Sequence, residues 1–486
     1  MGGCQQSAGR SNEAVYNPGM RNFLRGLCAW SVVLLCVLAA TPASVSAAGD
    51  YKQLARDILK ELIEINTTDS VGSTTKAAEA MAARLKAAGF PDSDVRVLGP
   101  NPRKGNLVAR LRGAGAGRPV LLLAHLDVVE ARRSDWSFDP FTFLEREGYF
   151  YGRGTSDDKA MAAIWVTNLI RMRHEGLKPN RDIIVALTAD EEGGDFNGAK
   201  WLVENHRHLV DAEFCLNEGG GGEMKDGRRL INEVQASEKV YLSFRLEVTN
   251  PGGHSSLPTP DNAIYHLAEG LARLAKFDYP VEMNEVTRNF FQRASVLESG
   301  QVAADMRRVA AAVPDLEAAA RLAAHSAYYN AQMRTTCVAT MLEAGQAANA
   351  LPQRARAVVN CRLLPGSEPQ TIQQVLVRVL ADDKISVTPI QPAKPSPPSP
   401  LRPEILGPIE RITAQMWPGV PVVATMCTGA TDGLYFRQAG IPTYGVSGLF
   451  EDIDDVRAHG RDERVGVKQF YESLDFLYRL VKAFVS

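Results

Sequence analysis

The chain has 486 residues, too many for one simple core, so two structural units are expected. With 45% hydrophobic and 23% charged residues its composition is that of an ordinary soluble globular protein. Lys plus Arg at 54 against Asp plus Glu at 56 leaves a formal charge of −2, so there is no basic field for nucleic acid.

Met20 opens MRNFLRGLCAWSVVLLCVLAATPASVSAAGD, in which Arg21 and Arg25 precede an apolar run from Leu27 to Ala40, and small residues follow to Ala47. That order predicts a secretory signal preceded by an upstream extension, so residues 1–48 are assigned to targeting. The run is shorter than the about 20 residues of a membrane helix. The expected location is secreted or periplasmic, with an uncleaved anchor as the alternative and no other membrane contact. Removing 1–47 takes away Arg10, Arg21, Arg25 and Glu13, which leaves 51 basic and 55 acidic residues. Cys4, Cys28 and Cys36 leave too, and Cys215, Cys337, Cys361 and Cys427 are too few for a disulfide framework or a thiolate metal site. Cys337 and Cys361 either pair in an oxidising compartment or stay as buried thiols.

Residues 51–65 read as an amphipathic helix, with Leu54, Ile58, Leu62 and Ile65 at three- and four-residue spacing. A second helix starts at Thr74 and stops at Gly89. Apolar runs at Asn106–Leu111, Val120–Ala124 and Ile183–Thr188 predict buried strands, with a helix at 160–174 before the last. This alternation implies a mainly parallel sheet covered on both faces, with ligands beyond the carboxyl ends of its strands. His125 follows one strand and Glu191-Glu192 follow another, so they should converge on one edge. Val240–Val248 alternates as a half-exposed strand does; the turn NPGGHSS, helical stretches through Asn330, and strand, helix and strand over 335–390 follow. Proline-rich 393–400 reads as a stiff return linker, after which helix, strand and helix resume, with short strands at Pro421–Ala424 and Pro442–Val446. The expected fold is an α/β catalytic domain, 49–238 plus 398–486, interrupted by an inserted α+β domain at 239–392.

Five segments carry the chemistry: AHLD (His125, Asp127), GRGTSDDK (Asp157, Asp158), ADEEGG (Glu191, Glu192), CLNEGGGG (Glu218) and RAHGRDE (His459). Each alone also reads as an ordinary loop. Together they supply two imidazoles and several carboxylates, the mixture that suits a pair of zinc-like ions and water-activated hydrolysis. Asp127 sits where it can orient the His125 ring. Adjacent Asp157 and Asp158, if buried, need a cation to offset their repulsion. Neighbouring Glu191 and Glu192 divide into one general base and one metal ligand.

These motifs, in this order across the mature chain, resemble the co-catalytic dizinc hydrolases that include glutamate carboxypeptidase, acetylornithine deacetylase, succinyl-diaminopimelate desuccinylase and aminoacylase. The resemblance implies a zinc-peptidase catalytic domain with an inserted lid and dimerisation domain. It implies two Zn2+, with Co2+ or Mn2+ able to substitute: His125, Asp157 and Glu218 on one, Asp157, Glu192 and His459 on the other. Asp127 would orient His125, Glu191 would be the base, and a cis peptide would join Asp157 to Asp158. In the insert, NPGGHSSLP places His254 as the residue that reaches the partner subunit's oxyanion in a homodimer. EAGQAANALP and NCRLLPG place Asn349 and Arg362 on the substrate's carbonyl and carboxylate. Two positions depart from the pattern: Ala160 replaces a glycine, and the segment around His459 has Arg461 where the family has proline. The expected substrate is a small peptide or N-acyl amino acid cleaved beside a free carboxylate. A glycoside hydrolase using paired carboxylates leaves the histidines without a role, and a catalytically silent binding protein would be expected to lack a ligand or the base.

Overall fold

A computed structural model describes residues 49–115 and 117–486, so the expected signal segment and its cysteines lie outside the described residues. At the centre of a ten-stranded sheet Arg181–Thr188, Gly117–His125 and Phe214–Asn217 lie side by side and parallel. Thr443–Gly445 extends the parallel set, while Asn106–Leu111 and then Val95–Leu98 add antiparallel beyond Arg181–Thr188. Farther across, Arg228–Glu238 pairs parallel with Val422–Cys427 and antiparallel with Gly222–Lys225. The sheet is mixed and mainly parallel, as expected.

The apolar runs fill both faces because successive side chains of a strand point oppositely. Leu122, Ala124, Ile183, Val185 and Leu187 face a core shared with the helices Gly49–Glu64, Lys159–His174 and Val467–Val485. Leu121, Leu123, Ile184 and Ala186 face the opposite core, against Gly198–Asn205 and Gly433–Gln438. Ser73 caps the helix Thr74–Ala87, and Gly89 ends it at φ +87, in the left-handed region that suits glycine.

A second, antiparallel sheet orders Thr336–Ala344, Arg354–Leu363, Val240–Thr249 and Ser386–Pro389. The expected strand, helix and strand over 335–390 are therefore one strand short. Two long strands precede the helix Pro369–Leu380. Thr336–Ala344 is an exposed edge strand, so nothing imposes on it the alternation that marks its neighbour. One face of this sheet, from Leu242, Phe244, Leu246, Ala357 and Val359, packs under Ala263–Leu274 and Pro369–Leu380. Tyr241, Ser243, Asn360 and Arg362 lie on the other face. Cys337 and Cys361 are cross-strand partners and form a disulfide, while Cys215 and Cys427 are free.

Between 239 and 392 the chain packs in two places. The helices Glu285–Ala294, Gly300–Val309, Leu316–His325 and Ala327–Met333 share a core with Ile231 and Val423 of the large sheet. The return segment 393–400 has no helix or strand and is tied down: Arg437 Nε donates to Ser396 Oγ at 2.9 Å, and Ser399 Oγ donates to the Thr443 carbonyl at 2.7 Å. Among the described residues no helix is long and apolar enough to cross a membrane.

Candidate metal centre

Parallel neighbours end on the same edge, and that edge gathers the acidic segments. His125 is the last residue of its strand, Glu218 directly follows Phe214–Asn217, and Glu191 and Glu192 lie just beyond Arg181–Thr188. Asp157 and Asp158 lead into the helix Lys159–His174, and their peptide bond is cis. His459 arrives from the loop between Phe450–Asp452 and Arg464–Gly466.

The two oxygens of Asp157 face different imidazoles. Oδ1 is 2.9 Å from His125 Nε2, and Oδ2 is 3.1 Å from His459 Nε2. Glu218 Oε2 lies 3.6 Å from His125 Nε2, and Glu192 Oε1 lies 2.8 Å from His459 Nε2. Candidate ligand atoms of His125, Asp157 and Glu192 lie within 4.8 Å of one another, and so do those of His125, Asp158 and Glu218. Asp158 is buried, and its Oδ2 has no hydrogen-bond partner.

Asp127 acts twice. His125 Nδ1 lies 3.0 Å from the Asp127 backbone carbonyl, which turns Nε2 toward the carboxylates. Its side chain is farther from Nδ1, at 3.6 Å, and accepts the backbone N–H groups of Glu191 and Glu192 at 3.1 and 3.0 Å. The carboxylate thus holds the base-bearing loop, while the carbonyl is the closer acceptor for the ring.

Charge is the test of fit. Burial, reinforced by Glu218, pushes the Asp158 and Glu191 carboxyls well above their usual range. Burial also raises Glu218, and with the Asp157 charge raises Glu192 to about 7. Burial opposes ionisation of Asp157 too, but hydrogen bonds from His125 and His459 outweigh it and hold that carboxyl low. His459 is raised to about 9, chiefly by its hydrogen bond to Asp157. So many buried acids beside two imidazoles match a pair of divalent cations, which would supply the missing positive charge.

Three supports were not legible in the motifs. Arg153 and Glu463 form a buried ion pair at 2.5 Å. Glu463 also accepts the backbone N–H groups of Gly154, Ser156 and Asp157, while Arg153 donates to the carbonyls of His459 and Gly460. This pair steadies His459, whose φ of +62 is the strained left-handed conformation, in the loop that lacks the family's proline. Buried Lys104 ion-pairs Asp190 and Asp69 beneath the Glu191 loop. Asp432 accepts from Thr188 Oγ1 at 2.7 Å and Asn197 Nδ2 at 2.6 Å, and burial raises it to about 7. The segment TGATDG around Asp432, a glycine-bearing turn after a strand like the other acidic segments, was the available signal.

Beside the cluster lies a cavity of about 620 Å³, lined among others by Glu191, Glu192, Lys239, Tyr241, Asp432 and Tyr435. The Arg362 guanidinium sits 4.7 Å from the ring centre of Tyr241, which lines the cavity. His254 and Asn349 are exposed neighbours at a separate two-stranded pairing of Gly253–His254 with Ala350–Leu351, where Ser255 N–H donates to the Asn349 carbonyl at 3.1 Å and His254 Nδ1 contacts Ser256 Oγ at 2.7 Å. Among the described residues neither forms a hydrogen bond or ion pair with the acidic cluster.

Residues 121–483 match peptidase family M20/M25/M40. The chain is 30% identical over 380 residues to the N-fatty-acyl-amino acid synthase/hydrolase PM20D1 of Xenopus tropicalis, across 75% of this chain and 72% of that one. It is 25% identical over 416 residues to carboxypeptidase S of Saccharomyces cerevisiae, across 75% and 71%. The M20 family metallo-carboxypeptidase Sso-CP2 of Sulfolobus solfataricus shares the fold at a TM-score of 0.64 and 16% identity, over 88% of this chain and 99% of that one. Human carnosine dipeptidase 1 does so at 0.59 and 16%, over 90% and 97%.

Proposed function

Because this chain belongs to peptidase family M20/M25/M40, a family of metal-dependent hydrolases, we propose that it cleaves a peptide or N-acyl amide bond next to a free carboxylate. The observation that carries this reading is the pairing of Asp157's two oxygens with two imidazoles, next to a cavity that Glu191 and Glu192 line. His125, Asp157 and Glu218 would hold one Zn2+ and Asp157, Glu192 and His459 the other, with Asp158 close to the first group. Bound zinc polarises a carbonyl and makes water acidic enough to act as a nucleophile at neutral pH.

The chain's own side chains do the rest. A carboxylate oxygen of Glu191 takes a proton from the attacking water and returns it to the departing amine nitrogen. Asp127 keeps Glu191 in place through two backbone N–H groups. Arg362 binds the substrate's free carboxylate, Asn349 its carbonyl, and His254 of a second copy donates to the developing oxyanion. A homodimer is supported by the edge strand Thr336–Ala344, which exposes Val338, Met341 and Leu342. Secretion or periplasmic export is supported by the signal-like order of residues 20–47 and by the Cys337–Cys361 disulfide. The names of the two relatives favour N-acyl amino acids and small peptides as substrates.

A hydrolysis screen of dipeptides and N-acyl amino acids, read by mass spectrometry with metal analysis, tests the proposal. Turnover should disappear on exhaustive chelation and return with zinc; full activity after chelation refutes it. Glu191→Ala should retain metal and lose nearly all turnover, and normal turnover would remove Glu191 as the base.

A further inference from the structure

Lys239 stands where the large-sheet strand Arg228–Glu238 gives way to Val240–Thr249 of the second sheet. It is 1% exposed, yet it lines the cavity with Glu191 and Glu192. Its Nζ donates to the Arg334 carbonyl at 2.7 Å and to Thr336 Oγ1 at 3.3 Å, both neutral. An ammonium has three donors, so one remains. Among the described residues no carboxylate ion-pairs with Lys239. The adjacent Glu238 is committed to Arg437 at 2.8 Å and to the Thr431 N–H and hydroxyl.

The charge acting on Lys239 has its own sign. Burial, with Arg362 adding to it, pushes the ammonium down to about 7. Arg362 pairs in register with both Tyr241 and Thr336, so Lys239's own hydrogen-bond partner sits directly across from it. Lys239 and Arg362 therefore share the root of the polar sheet face, beside the cavity, and among the described residues neither ion-pairs with a carboxylate. A buried cation lacking a counter-ion is unfavourable unless an incoming group supplies the charge.

We infer that Lys239 and Arg362 together seat the substrate's free carboxylate, with Lys239 the specificity-determining residue that makes the enzyme prefer an acid to the corresponding carboxamide. This rests on the hydrolase reading above and deepens it.

The test compares the full chain with Lys239→Met and Lys239→Arg, on an N-acyl amino acid and on its C-terminal carboxamide. Lys239→Met should raise KM for the acid about 10- to 100-fold, the range for losing one charge-assisted contact. Its kcat, its metal content and its kinetics on the carboxamide should stay as in the unaltered enzyme, so that the preference collapses. Lys239→Arg should restore part of that preference. The unfolding midpoint of Lys239→Met should equal or exceed that of the unaltered protein, since an apolar chain replaces an uncompensated buried charge. An unchanged KM for the acid, an equal loss on both substrates, or a lowered midpoint overturns the inference. Where turnover is absent, calorimetric binding of acid and carboxamide measures the same preference, so failure of the hydrolase reading is distinguishable from failure of this one.

Discussion

Arg153→Met tests how the metal-site loops are held. Arg153 is 2% exposed and Glu463 is fully buried, and their contact joins the loop of Asp157 to the loop of His459. Removing the arginine leaves a buried carboxylate without its cation, a loss of about 3–5 kcal/mol. At about 2.1 cal/mol/K of unfolding entropy per residue, that lowers the midpoint of a chain this long by about 4 °C. Burial already raises Glu463 and the Arg153 charge opposes it, so without Arg153 the carboxyl rises further. A carboxyl raised in the fold binds a proton that the unfolded chain has released above about pH 4.5, so stability falls as pH rises. The deficit should accordingly be larger at pH 8 than at pH 5. Adding Glu463→Gln removes the stranded charge while keeping an acceptor for the Gly154, Ser156 and Asp157 N–H groups, and should recover part of the loss. Metal affinity, read by calorimetric titration, should weaken about 10- to 100-fold because the loop carbonyls of His459 and Gly460 lose their donor. Thermal unfolding within about 0.5 kcal/mol of the unaltered protein, with metal affinity unchanged, refutes the reasoning.

Asp127→Asn should leave the fold intact and weaken metal binding about 10- to 100-fold, since one of two carboxylate acceptors for the Glu191 and Glu192 N–H groups becomes a donor; unchanged affinity in a metal titration would count against it. In metal-free protein Glu192 is raised from 4.5 to about 7 and Asp432 from 3.8 to about 7, both first by burial. Raised acids favour the fold fully below their unfolded values, so the chelated protein should lose stability as pH climbs from about 4 toward 7. The metal-loaded protein should decline less, and parallel melting curves across that window would contradict the charge argument. Phe244→Ala, at a fully buried position of the second sheet, should cost about 3–5 kcal/mol in denaturant unfolding; a loss below about 1 kcal/mol would show that this core is not tightly packed.

The sequence by itself determined the donor types, their order and their attachment to strand ends. These are local properties: metal chemistry demands particular side chains, and a buried parallel strand shows as an unbroken apolar run. It also determined the half-covered strand Val240–Thr249, because one-sided burial writes itself as alternation. The exposed edge strand Thr336–Ala344 carries no such mark, and the helices over 285–333 gave no hint that they pack on Ile231 and Val423. Only the tertiary structure decided which oxygen of Asp157 meets which imidazole, that Asp127 holds the Glu191 loop as well as its own histidine, and that Arg153 reaches Glu463 across 310 positions. It alone brought Lys239 near Arg362, neither with a carboxylate partner among the described residues. The physical reason is that burial and electrostatic partnership arise where distant segments converge, and no local pattern of residue types records which segments those are.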